Sequence, residues 1–110
     1  MSPQENVTVT VSLDQAESRS SIKLQGQGWE LNVHLDSREV SRLPDITQCS
    51  WQKRQALRIG KSGSSDVFWS VDDGELAILV GHDDETWDFG VFVPQSVLDA
   101  IIAEHRQLHA

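Results

Sequence analysis

The sequence holds a single cysteine, Cys49, which excludes an internal disulfide and any cluster of thiolate metal ligands. A lone cysteine also fits a reducing compartment, and its simplest role is that of a small apolar side chain. No apolar run approaches the roughly 20 residues that a membrane-spanning helix needs. The opening MSPQENVTVTV lacks the basic start and apolar stretch of a secretory signal. These absences predict a soluble, cytoplasmic protein without membrane association. No internal repeat, low-complexity tract or Pro/Gly-rich linker divides the chain, so residues 1–110 are expected to form one domain.

The most informative absence is one of charge. From Ser62 to His105 there is no lysine or arginine. Residues 1–61 carry eight Lys/Arg against seven Asp/Glu, whereas residues 62–110 carry only Arg106 against ten acids, so nearly all of the net charge of -8 lies in the second half. Nucleic-acid affinity rests largely on basic side chains that neutralise phosphates, so direct nucleic-acid binding is not expected. A one-sided negative field favours a cationic partner.

Hydrophobic periodicity predicts an α+β domain: an antiparallel sheet of about six strands with a C-terminal helix on one face. Val7, Val9, Val11 and Leu13 alternate with polar residues, a strand near Ile22–Gln25 follows, and Trp29, Leu31, Val33 and Leu35 alternate again. Residues 36–50 read as loop with a helical turn before Pro44, and another strand is expected around Gln52–Ile59. Asp73-Gly74 is a favoured two-residue hairpin turn, which sets Val71 opposite Leu76, Trp69 opposite Ile78 and Val67 opposite Val80. GHDDET then reads as a longer hairpin loop, with Val80 expected opposite Trp87, Ile78 opposite Phe89 and Leu76 opposite Val91. On this reading Trp87 packs in the core. Phe68, Ala77, Leu79 and Phe92 share the other face, either covered by the N-terminal strands or exposed as an interface. Ser96, with Asp99 three residues on, reads as a helix N-cap, and Val97, Leu98, Ile101, Ile102, His105 and Leu108 recur at helical spacing.

The same pattern sorts the acids into two groups. Asp72, Asp73 and Glu75 belong to the DG turn, and Asp83, Asp84, Glu85 and Asp88 to the opposite end, with Asp66 nearby. At about 3.4 Å per residue the groups are expected roughly 20 Å apart. His82 with Asp83, Asp84 and Glu85 offers ligand types for a metal, but matches neither a Ca²⁺ loop nor HExxH. His105 and His109, one helical turn apart, are expected to face solvent or the sheet rather than Zn²⁺. No G-x-S-x-G elbow or phosphate loop is present, and GKSGSS lacks the spacing of the latter. No cofactor and no catalytic activity are expected.

The stretch VFWSVDDGELAILVGHDDETWDFGVFVP, residues 67–94, with the helix after it, resembles the closing part of immunity proteins from bacterial toxin/immunity pairs, including those of contact-dependent growth inhibition. The resemblance implies an acidic surface that docks on a basic toxin domain, often a nuclease, in place of substrate phosphates. Asp83, Asp84, Glu85 and Asp88 are the expected main contacts, with Asp66 in support and Asp72, Asp73 and Glu75 as a second surface. Two other readings use the same residues: a stand-alone nucleic-acid mimic that inhibits a nucleic-acid enzyme, and a small-ligand or metal-binding module. The oligomeric state is left open by the sequence.

Overall fold

A computed structural model describes residues 7–14, 19–82 and 87–108. Seven antiparallel strands follow one another in chain order across a single sheet: β1 (Thr8–Asp14), β2 (Arg19–Gly26), β3 (Trp29–Asp36), β4 (Leu57–Ser62), β5 (Ser65–Asp72), β6 (Glu75–Gly81) and β7 (Trp87–Pro94). Helix α1 (Ser37–Arg42) and a 3₁₀ segment (Leu43–Gln48) connect β3 to β4, and helix α2 (Ser96–Leu108) closes the chain. The architecture is α+β, and the seven strands among the described residues agree with the expected sheet of about six.

Alternation places the core on one face. Ile22, Leu24, Leu31, Val33, Leu35, Ile59, Val67, Trp69, Leu76, Ile78, Val91 and Val93 are buried there. Leu43 and Ile46 of the 3₁₀ segment join them, as do Val97, Leu98 and Ile101 of α2. The largest fully buried side chain is Trp69, whose indole N–H donates to the Ile59 carbonyl at 2.9 Å.

The helical turn expected before Pro44 is α1, and the segment after it, read as loop, is a 3₁₀ helix. Asp36 caps α1 by accepting from the Glu39 N–H at 2.9 Å, while the Glu39 carboxylate accepts from the Asp36 N–H at 3.0 Å. Pro44 sits at the start of the 3₁₀ segment, where its missing N–H costs nothing. The other Glu39 oxygen accepts from the Gly60 N–H at 2.7 Å. Gly60 has φ +78°, and a Cβ there would stand 2.7 Å from Val33 Cγ1 and 2.9 Å from the His34 carbonyl oxygen, so only glycine fits. The ladder between β3 and β4 is correspondingly reduced to one residue pair, His34 with Lys61. β4 therefore begins at Leu57 and ends at Ser62, later than the sequence pattern suggests; residues 51–53 form a short 3₁₀ turn instead.

Helix α2 packs chiefly against β1 and also touches β7 and the 3₁₀ segment. Ser96 is its first helical residue rather than its cap: the Gln95 carbonyl accepts from the Leu98 N–H at 2.9 Å and opens the helix. His105 is buried at its far end. Since a carbonyl only accepts, the 3.0 Å contact to the Ile101 oxygen puts a proton on Nδ1, and Nε2 is hydrogen-bonded to the Ser20 hydroxyl at 2.6 Å. Ser20 and His105 have only 2% and 3% of their surface exposed, so this serine–histidine pair fastens the helix to β2 from within the core.

Candidate functional site

The DG turn forms as the sequence requires. Asp73 and Gly74 both take positive φ, at 54° and 78°, and the ladder pairs Val71 with Leu76, Trp69 with Ile78 and Val67 with Val80. The last hairpin departs from expectation. Leu76 pairs with Val93, Ile78 with Val91 and Val80 with Phe89, a register two residues away from the one predicted. A shift of two keeps every aliphatic side chain on its face, which is why alternation alone did not distinguish the two registers.

The same ladder contains a bulge. Val80 pairs with Phe89 and Gly81 with Trp87, which leaves Asp88 as the extra residue. The interruption puts Trp87 on the outer face, 43% exposed, instead of in the core. Gly90 makes room for it: a Cβ there would lie 3.0 Å from Trp87 Cζ3 and 2.9 Å from Leu79 Cδ2. A glycine inside a strand is the sequence cue for such a close approach, and Gly90 was the available signal.

The outer face of β5–β7 therefore carries an aromatic patch. Phe92 is 53% exposed, Phe68 and Ala77 are partly buried, and Leu79 is 97% buried beneath its neighbours. The N-terminal strands do not cover it, because they extend the same sheet sideways. At one end of the patch Asp72 and Glu75 face each other as a cross-strand pair. Like charges directly opposite one another cost roughly 0.2–1 kcal/mol. Among the described residues neither has an ion-pair partner.

The expected acids are distributed as follows. Asp72, Asp73 and Glu75 meet at the turn end of the β5–β6 ladder, and Asp66 lies at its other end, opposite Gly81. Asp88 is exposed at the bulge. Asp83, Asp84 and Glu85 lie outside the described residues, and so does His109. Of Asp66, Asp72, Asp73, Glu75 and Asp88, Asp66 is the one with ion pairs among the described residues, to Arg58 at 3.6 Å and to Lys61 at 3.7 Å.

No family model, curated protein or solved structure matches this chain.

A concavity lies away from this face, and no local sequence signal marks it. The gap between β3 and β4 opens into a groove of about 600 Å³, lined by the bases Arg19, Arg58 and Lys61, the acids Asp36, Glu39 and Asp66, and His34. Several of its polar side chains are engaged locally: Asp66 by the two bases, Glu39 by backbone N–H groups and His34 by a 3.0 Å hydrogen bond to Ser21. Glu30, on the adjoining polar face, is likewise tied up, held below the ordinary carboxylate pKa first by the Asn32 amide and then by the charge of Lys23. Among the described residues no three His, Cys, Asp or Glu side chains are grouped to hold a metal ion. No described helix is long and apolar enough to cross a membrane.

Proposed function

We propose that this protein is an immunity or inhibitor protein that acts in the cytoplasm, binding a basic toxin domain, a nuclease by class, through the outer face of β5–β7. The observation that carries this reading is the combination at that face of exposed aromatic side chains with acids left uncompensated by any described cation. Aromatic anchors surrounded by charge are what a specific protein interface uses: the rings supply the buried centre and the charges steer encounter. Asp72, Asp73, Glu75 and Asp88 form the charged set among the described residues. Asp83, Asp84 and Glu85 join the proposal by their place in the sequence, between β6 and β7. Docking of this kind inhibits by occupying the positive groove that substrate phosphates would enter, so the protein itself performs no chemistry.

The test is a pull-down from lysate at low and then high salt, followed by nucleic-acid cleavage assays on what elutes. One basic polypeptide, released by salt and silenced by one equivalent of added protein, is the expected result. Recovery of no specific polypeptide, or of one that stays fully active when the protein is added back, would overturn the reading.

A further inference from the structure

We infer that the outer face contains a pocket for a single arginine side chain of the partner, an inference that rests on the docking face proposed above and specifies its chemistry. The pocket is formed by Asp72, Glu75, Ala77, Leu79, Trp87 and Phe92 and has a volume of about 120 Å³. That is of the order of the roughly 150 Å³ cavity that accepts one benzene ring, so it suits one side chain rather than a peptide segment.

Its composition changes along its length. Ala77 and Leu79 are successive outward positions of β6, and Phe92 pairs with Ala77 across the ladder. Trp87 stands beyond Gly90 at one end, and Asp72 and Glu75 stand at the turn end. An apolar stem thus has aliphatic and aromatic surface to lie on, and a cationic head has two carboxylates to meet.

The occupant is fixed by charge complementarity. Asp72 and Glu75 repel across one rung with no described cation between them, and a cation placed there relieves that repulsion while gaining two hydrogen-bond acceptors. Arginine fits better than lysine. Its planar guanidinium is weakly hydrated, stacks on aromatic faces and offers five donors, whereas the lysine ammonium is compact and strongly hydrated.

The experiment uses the isotopically labelled full chain and follows the Trp87 indole N–H signal. The probes are acetyl-Gly-Arg-Gly-amide, its lysine counterpart and its citrulline counterpart, which keeps the shape and loses the charge. The arginine peptide is expected to shift Trp87 with half-saturation on the order of 1–10 mM, the affinity of one small contact, while the indoles of Trp29 and Trp69 stay in place. The lysine and citrulline peptides should bind at least tenfold more weakly. The doubly neutral D72N/E75Q variant, which removes charge at a solvent-facing turn and leaves the core intact, should lose the arginine response. A silent Trp87, an equal response to citrulline or lysine, or an unaltered response in D72N/E75Q would overturn the pocket assignment. The peptide assay is independent of partner capture. A silent Trp87 beside a captured basic polypeptide removes the pocket and keeps the docking face, whereas an arginine-specific shift without a captured polypeptide supports the pocket and removes the proposed partner.

Discussion

Trp69→Ala is expected to be the most damaging single substitution in this fold, lowering stability by about 3–5 kcal/mol through lost burial and the cavity left behind. Trp69 is fully buried at the centre of the core face, between Leu57 of β4 and Ile78 of β6 in the ladder. Removing it also leaves the Ile59 carbonyl without its 2.9 Å indole donor. A buried acceptor stripped of its partner adds roughly 1–3 kcal/mol to the cost. Since small domains have total stabilities of about 5–15 kcal/mol, the alanine variant should be largely unfolded or close to it. Trp69→Phe separates the two contributions, because it keeps an aromatic ring and loses only the donor and some volume; a loss of about 1–3 kcal/mol is expected for it. Urea unfolding followed by circular dichroism measures both. A midpoint for the alanine variant equal to that of the wild type would show that the sheet is not organised around this side chain.

The second large effect is on association, not stability. Asp72→Lys with Glu75→Lys replaces a pair of facing negative charges by a pair of facing positive ones, so the cross-strand repulsion stays and stability should change by less than about 0.5 kcal/mol. Asp73 is left alone because its φ of 54° suits aspartate and would strain a lysine. If the outer face steers a basic partner, the association rate should drop from the electrostatically assisted range to or below the neutral range of about 10⁵–10⁶ M⁻¹s⁻¹. Stopped-flow mixing with the captured polypeptide at low salt gives this rate directly. An unchanged rate would remove these two acids from the interface, and with them the principal charge of the described part of the face.

Much of the sheet was legible because its signals are local. The Asp73-Gly74 turn demands positive φ and thereby fixes the β5–β6 register, and the valine-rich alternation of residues 7–13 and 67–80 fixes which face is buried. Helix α2 was legible from the spacing of Val97, Leu98 and Ile101. Two features depended on events that a regular period does not encode. The bulge at Asp88 breaks the alternation, so a reading that carried strict two-residue periodicity through β7 put Trp87 in the core. In the α1 connection the helical turn before Pro44 is legible, with Asp36 and Glu39 spelling out a capping pair three residues apart, whereas the 3₁₀ segment that starts at Leu43 has no periodic signal of its own.

The candidate site was legible in its charge and not in its apolar half. The acids of the DG turn are where the sequence puts them, since a turn must be at the surface. Whether Phe68, Leu79 and Phe92 were covered depended on how the two halves of the sheet join. That junction is a long-range arrangement involving Gly60, Glu39 and the single His34–Lys61 pair, and nothing local in β5–β7 reports on it. Likewise the compensation of Asp66 by Arg58 and Lys61 arises only when β4 lies beside β5, across a separation that charge counting along the chain does not register.

The docking face itself is tested most directly by mapping the partner on the protein: amide spectra of the labelled chain recorded alone and with the captured basic polypeptide. The account predicts that the perturbed amides concentrate in β5–β7, including Asp72, Glu75, Asp88 and Phe92, together with the Trp87 indole, while β1, β2 and α2 stay unchanged. Perturbation centred instead on β1–β3 or on the groove between β3 and β4 would contradict it.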